Sequence, residues 1–192
     1  MRILTIVGLT FFFFMYSGCT GPDSGDSQAS VPAPKIDIHS AVVMSNLAAL
    51  DKHIKAGSDL NIAEPSRKST PLITAAAFGK IEAAKMLIEA GADLNYQNAD
   101  GSTALHTATV FGKTDIAKLL IDAGADLNIA NNSGSTVLHS AAFFCREEIV
   151  RALLEKGVDK SIKNKMGMTA LESVRQPFAA VEKTYDAIGV GL

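Results

Sequence analysis

Small and apolar residues return along this chain at a constant interval. A Leu recurs every thirty-three residues, with a Thr two positions before it and, in most copies, a Gly nineteen positions after it. The positions are Leu72, Leu105, Leu138 and Leu171, Thr70, Thr103, Thr136 and Thr169, and Gly91, Gly124 and Gly157. A looser copy, with Ile38, Ala41, Gly57 and Asn61, stands thirty-four residues before its counterparts. Self-similarity at such a period indicates a repeat architecture.

Each copy predicts a pair of short helices. The Thr can cap a first helix of about eight residues, which holds an Ala-rich run such as Ala75-Ala76-Ala77. A turn at Gly79 ends this helix, and a second helix then buries residues such as Leu87 and Ile88 at helical spacing. The Gly that closes the copy stops the second helix, because Gly adopts the left-handed conformation at little cost. A single pair cannot bury its apolar face alone, so neighbouring pairs must stack.

The repeats are expected to form one all-α domain over residues 36–192. Four full repeats occupy about 36–68, 69–101, 102–134 and 135–167 in this prediction, and 168–192 forms a shortened fifth copy that caps the stack. The pattern of the last copy breaks at Pro177. Apolar residues then recur at intervals of three and four, which predicts one amphipathic helix containing Phe178, Val181, Tyr185 and Ile188.

The turn sequences show which family this pattern resembles. Ser69-Thr70-Pro71-Leu72, Thr103-Ala104-Leu105-His106 and Thr136-Val137-Leu138-His139 are similar to the Thr-Pro-Leu-His turn of ankyrin repeats. The resemblance implies an ankyrin-repeat solenoid of helix pairs with projecting turns, which binds another protein through its loop tips and the ends of its first helices. It also implies that His106 and His139 bond to the backbone and to neighbouring loops.

The first thirty-five residues differ from the repeats. An apolar run over residues 3–15 follows Arg2 and is shorter than the ~20 residues that a membrane-spanning helix needs, so residues 1–18 are predicted to be a signal peptide. Ser17-Gly18-Cys19 resembles the lipobox of bacterial lipoproteins, although Tyr16 stands where that family has an aliphatic residue. The resemblance implies that Cys19 is acylated.

An acylated Cys19 would place the protein in the bacterial cell envelope, facing the periplasm or the surface and anchored to a membrane by its lipid. Residues 19–35 are rich in Gly, Pro, Asp and Ser, which predicts a disordered linker between the lipid and the repeats. The alternatives are ordinary secretion after cleavage and retention of the uncleaved segment as an anchor.

Charge argues against a nucleic-acid partner. The chain has 18 Lys and Arg against 20 Asp and Glu, a formal net charge of −2. Removal of residues 1–18 takes away Arg2 and no acid, which leaves 17 − 20 = −3. A nucleic-acid binder should carry a basic patch instead.

Motifs for catalysis or for metal binding are fragmentary, and no cofactor is expected. Gly112-Lys113-Thr114 matches the end of a phosphate-binding loop, but Thr107 stands where that motif has its first Gly, so an inter-helix turn is predicted. His53 is expected on a solvated helix face. Cys145, which replaces the turn Gly of the fourth repeat, is expected to be a partly buried thiol, and a Cys145–His139 nucleophile is the alternative.

The ends of the first helices supply the candidate partner site. Six residues after its Leu or Ile anchor, each full repeat carries a large apolar residue, namely Met44, Phe78, Phe111 and Phe144. Six helical positions turn by about 600°, so these side chains lie about 240° from the anchor and away from the core. The alternative is that the rings lie flat and pack against adjacent repeats. The full candidate set is Met44, Phe78, Phe111, Phe143, Phe144, Asn98, Asp100, Ser102, Asn131, Ser133 and Ser135.

The sequence therefore predicts a non-enzymatic, monomeric protein-binding module that is exported as a lipoprotein. Two other functions remain open. One is a regulatory or inhibitory subunit of an exported enzyme, and the other is a thiol-dependent enzyme that uses Cys145.

Overall fold

The computed structural model describes residues 34–174 of the 192-residue chain. Within this range the regular elements are helices, and one isolated β-bridge joins Ala130 to Thr136. The helices are α1 (Ile38–Val43), α2 (Leu47–Lys55), α3 (Pro71–Phe78), α4 (Ile81–Glu89), α5 (Ala104–Val110), α6 (Thr114–Asp122), α7 (Val137–Phe143), α8 (Glu147–Glu155) and α9 (Ala170–Val174). The predicted all-α fold is confirmed. The predicted final helix with Tyr185, the signal peptide and Cys19 lie outside the described residues.

Threonine caps begin the first helices of the inner repeats. The Thr70 hydroxyl accepts a hydrogen bond from the Ile73 N–H at 3.3 Å, and Pro71 follows at the first helical position, where its missing N–H costs nothing. In α5 the bonding is reciprocal, because the Thr103 N–H donates to His106 Nδ1 while the His106 N–H donates to the Thr103 hydroxyl. Histidine thus takes the place that Glu or Gln has in a capping box.

The helices form two layers. The first helices α1, α3, α5, α7 and α9 pack against one another in chain order, and the second helices α2, α4, α6 and α8 do the same. The anchors Leu72, Leu105 and Leu138 are buried between the layers together with Leu87 and the equivalent leucines of α6 and α8. Each first helix therefore packs against the first helices of its neighbours as well as against the second helix of its own repeat.

Polar contacts join successive repeats at the same register. After each second helix, an Asn side chain of one repeat accepts a backbone N–H of the next, at 2.8–2.9 Å: Asn61 from Asp93, Asn95 from Asp126, and Asn128 from Asp159. At the other end of the helices, His106 Nε2 bonds to the Ser135 carbonyl, and His139 Nε2 bonds to the Met168 carbonyl. These bonds fix how far each repeat is displaced from the one before it.

The prediction for His53 was wrong. Its side chain is buried, with Nε2 2.7 Å from the Ile36 carbonyl oxygen and Nδ1 3.1 Å from the Ser58 hydroxyl. The segment that enters the first repeat crosses the end of α2 and covers this ring. Helical periodicity within α2 gave no sign of that segment, because the contact joins residues seventeen positions apart.

Within residues 34–174, no helix combines the length and the apolarity needed to cross a lipid bilayer.

Stacking predicts that damage inside the array costs more than damage at its edge. We expect Leu105→Ala to lower the free energy of unfolding by about 2–5 kcal/mol, since it leaves a cavity that two neighbouring repeats share. Leu47→Ala removes the same atoms from a half-buried side chain in the first repeat and should cost less. Urea unfolding measures both losses. Equal losses would contradict an array stabilised by its interfaces.

Burial of His106 predicts a pH dependence of stability. Burial lowers the pKa of His106 below its ordinary value of 6.5, and the bond to the Ser135 carbonyl offsets this only in part. The folded state therefore binds this proton less tightly than the unfolded chain. The contribution of neutral His106 to the free energy of unfolding is therefore complete above pH 6.5. It is lost as the pH falls from 6.5 through the lower pKa of the folded state.

We expect urea midpoints to decrease between about pH 7.5 and pH 5.5, and to decrease less in His106→Gln, which does not titrate. Because the substitution also alters the bond between Nδ1 and the Thr103 N–H, the change of the urea midpoint with pH is compared within each protein, and not the midpoints of the two proteins at one pH. An unchanged pH dependence in the variant would show that other groups cause it.

Candidate functional site

Large apolar side chains lie exposed where the first helices end. Phe78 is the last residue of α3, and Phe111, Phe144 and Met44 directly follow α5, α7 and α1. Between 40% and 69% of each of these four residues is exposed. Phe143 is also exposed, and its ring stands edge-on to that of Phe144 with centroids 5.1 Å apart. These side chains are therefore not core residues, and we call the five residues the aromatic row.

Part of the aromatic row lines a groove. Phe78 and Phe111 lie along a depression of about 610 Å³ together with Val43 and Val110. Residues of the loop tips, among them Asn98, Asp100 and Ser102, also line it, and we call this part of the lining the loop wall. The floor is formed by α3 and α5 and includes Ile73, Thr74, Ala77, His106 and Thr107. The groove thus brings together five of the candidates; Met44, Phe143, Phe144, Asn131, Ser133 and Ser135 are not in its lining.

Two of the loop-tip candidates maintain the shape of their own loops. The Asn98 side-chain oxygen accepts the N–H groups of Asp100 and Ser102 at 3.0 and 2.9 Å. Asn131 does the same for Ser133 and Ser135. These oxygens are already bonded, which leaves the exposed side chains of Asp100 and Ser133 as the accessible groups at the two tips.

The sequence analysis missed two residues of the first loop, Glu64 and Arg67, which line the same groove. Glu64 stabilises its loop as Asn98 does one repeat later, because the Glu64 carboxylate accepts the N–H groups of Ser66 and Arg67. Together with the Ser66 hydroxyl, these donors lower the pKa of Glu64 from 4.5 to about 2. The thirty-four-residue offset of the first copy was the available signal, since it aligns Glu64 with Asn98.

The possible catalytic groups are not arranged for catalysis. Cys145 is exposed, not partly buried as predicted, and its φ of +52° fits the left-handed turn that Gly79 and Gly112 occupy in the two preceding repeats. His139 is buried, and both ring nitrogens have partners, Thr136 at Nδ1 and the Met168 carbonyl at Nε2. Gly112 and Lys113 form the predicted inter-helix turn before α6. Among the described residues, no cluster of His, Cys, Asp and Glu could hold a metal ion.

Comparison with known proteins agrees with this architecture. A family model described as Ankyrin repeats (3 copies) matches residues 38–131 and 72–164, which together span more than half of the chain. A segment of 76 residues is 36% identical to DNA-binding protein RFXANK of Homo sapiens, a match that covers 38% of this chain and 29% of that protein. The chain therefore spans less than a third of this relative's length. From the family match and the stacked helix pairs, the chain belongs to the ankyrin-repeat family and is a protein–protein interaction module.

Proposed function

We propose that this protein binds a partner protein through the aromatic row and the adjoining groove, as a non-enzymatic monomer. The observation that carries the proposal is the exposure of four large apolar residues at one register of successive repeats. Core packing does not need them, because the buried Leu, Ile, Val and Ala residues already fill the space between the layers. A contiguous apolar surface of this kind is typical of binding sites, and aromatic side chains often supply much of the binding energy.

The loop wall adds polar specificity to this surface. Asp100 and Ser133 project from the tips, and Glu64 and Arg67 stand at the same edge one repeat earlier. Their backbones are held in place by bonds between loops, such as that from the Asn132 N–H to the Asp100 carbonyl at 3.0 Å. Such preformed walls reduce the ordering cost of binding.

We propose in addition that the protein is exported and anchored to a membrane through acylated Cys19. The support is the sequence alone, with an apolar run that is too short to span a bilayer and that ends in Ser17-Gly18-Cys19. In this proposal residues 19–35 link the lipid to the repeats, and the partner is another protein of the bacterial cell envelope.

DNA binding is not part of the proposal, although the relative's name includes it. The formal net charge of this chain is −2, and acidic side chains line the groove. Charge neutralisation of phosphates would need the opposite balance.

Replacement of the rings tests the partner site. We expect Phe78→Ser, Phe111→Ser and Phe144→Ser to leave the urea midpoint nearly unchanged, because exposed rings contribute little to stability. Each should weaken capture of the native partner by more than about tenfold, as central interface aromatics do. Met166→Ser is the matched control, since Met166 is an exposed apolar residue outside the groove. Unfolded variants, or variants that still bind, would refute the site.

Cys19→Ala tests the anchor. We expect the native protein to fractionate with membranes, the variant to be soluble, and mass spectrometry of the mature native chain to find an acylated Cys19 at its N-terminus. Cys145→Ala removes the other cysteine of the chain and should remain with the membrane. An unmodified Cys19, or a mature chain that still begins at Met1, would refute lipidation.

A further inference from the structure

A cation stands directly before each of the three inner second helices. Lys80, Lys113 and Arg146 are the cap residues of α4, α6 and α8, and none of these helices has a side chain bonded to its first N–H groups. Within residues 34–174, the three cations form no ion pair. Most cations of the helices behave differently, since Lys55, Lys85, Lys118, Arg151 and Lys156 are each paired with a carboxylate.

Two of these cations reach back to the aromatic row of the preceding repeat. The Lys113 side chain lies over the turn at Gly79, which directly follows Phe78, and a Cβ on that glycine would lie 3.2 Å from Lys113 Cδ. Arg146 covers the turn at Gly112 in the same way, with its guanidinium carbon 2.8 Å from such a Cβ. The glycines thus allow the cations to lie along the edge of the row.

Arg146 also contacts the row directly, at Phe144, and bonds to the backbone of Val110 beside Phe111. One guanidinium nitrogen donates to the Val110 carbonyl at 3.3 Å, and the guanidinium carbon lies 6.0 Å from the centre of the Phe144 ring. Its Nε is buried and has no hydrogen-bond acceptor within the described part of the chain. The positive charge is therefore held beside Phe144 by a carbonyl and a ring, and no carboxylate neutralises it.

A hollow of about 210 Å³ is lined by the turns at Gly79 and Gly112, which directly follow Phe78 and Phe111. Lys113, Thr114 and Asp115 are among its lining residues, and the first N–H groups of α6 begin there. A carboxylate in this hollow would be attracted by the Lys113 ammonium group and by the positive end of the α6 helix dipole. Asp115 opposes it, because it brings a negative charge to the same lining.

The acidic side chains near the three cations and the groove differ in whether they are already paired with a cation. Glu82, which follows Lys80, is paired with Lys85, and Glu147 and Glu148, which follow Arg146, are paired with Arg151 and Lys118. On the loop side of the groove, Glu64 and Asp100 are negative, and Arg67 is the cation beside them. Lys113 and Arg146 thus lie unpaired beside the turns that follow Phe78 and Phe111, with Asp115 as the acid near Lys113, whereas the loop residues of the groove include two acids and one cation.

We infer that the partner presents an extended acidic segment to this surface, with apolar side chains on the aromatic row and carboxylates against Lys113 and Arg146. The inference rests on the proposed function, since it uses the aromatic row as the binding site. Charge complementarity carries it, because the row's unneutralised cations lie along one edge. A nucleic acid fits less well, since a continuous phosphate backbone would also lie against Glu64, Asp100 and Asp115.

A random peptide display library panned on the full-length protein in detergent tests the inference without knowledge of the partner. We expect the enriched peptides to combine acidic with apolar or aromatic residues, and to be lost in the Phe111→Ser variant. Neutral or basic peptides that need Phe111 would overturn the acidic segment and leave the proposed function intact. Peptides indifferent to the Phe78, Phe111 and Phe144 variants would overturn both.

Two substitutions then test the charge at the hollow, one that removes a positive charge and one that removes a negative charge. With one enriched peptide, synthesised and fluorescently labelled, Lys113→Gln should weaken binding by roughly two- to fivefold, whereas Asp115→Asn should tighten it by a similar factor. Lys160→Gln, an exposed lysine that lines neither the groove nor the hollow, is the control and should change nothing. Added salt should reduce the differences, because it screens exposed charges.

Changes of the same sign in both variants, or equal effects of Lys113→Gln and Lys160→Gln, would overturn the inference. Two further probes separate the source of negative charge. If a single-stranded DNA oligonucleotide or vesicles with anionic lipid bind more tightly than the peptide, and lose binding in Lys113→Gln, the cations serve phosphate groups and the acidic-segment inference is wrong.

Discussion

The inability of one helix pair to bury its own apolar face governs this structure. Each pair has only two short helices, and its anchor, such as Leu105, is covered on both sides by the helices of adjacent repeats. The same stacking brings polar groups of successive repeats together, so that the Asp126 N–H donates to the exposed Asn95 side chain and the buried His106 ring bonds to the Ser135 carbonyl. Buried polar groups such as the rings of His106 and His139 must find partners, and in this array the neighbouring repeat supplies one of them.

Because the core is filled by small and medium-sized residues, the large aromatic rings remain on the surface. Ala, Leu, Ile and Val fill the space between the layers, so the large rings at the ends of the first helices are not needed there. Because stability comes from the repeat interfaces, Phe78 and Phe111 can be exposed at little cost to folding. Their regular register follows from the stacking, which brings the equivalent residues Phe78 and Phe111 of two successive repeats into the lining of one groove.

The turn between the two helices of a repeat affects both the backbone fold and the proposed partner site. Its left-handed residue, Gly79 or Gly112, lets the chain reverse direction and also leaves room for the cation of the following repeat. A Cβ at Gly79 would lie 3.2 Å from the Lys113 side chain and one at Gly112 would lie 2.8 Å from the Arg146 guanidinium, so either cation would have to shift. The turn therefore contributes to the backbone geometry and to the charge at the edge of the aromatic row. Cys145 keeps the left-handed conformation in the fourth repeat without glycine.

The sequence by itself determined the repeat period, the helix pairs, the Thr caps and the outward direction of Phe78 and Phe111, because these depend on contacts and angles within one repeat. Tertiary structure decided what depends on contacts between repeats. Only stacking placed Glu64 in the groove and Lys113 over Gly79, and only the path of the entering segment buried His53. These contacts join residues seventeen to thirty-four positions apart, and their geometry is set by how far each repeat is rotated and shifted against the next. Local periodicity carries no information about that displacement.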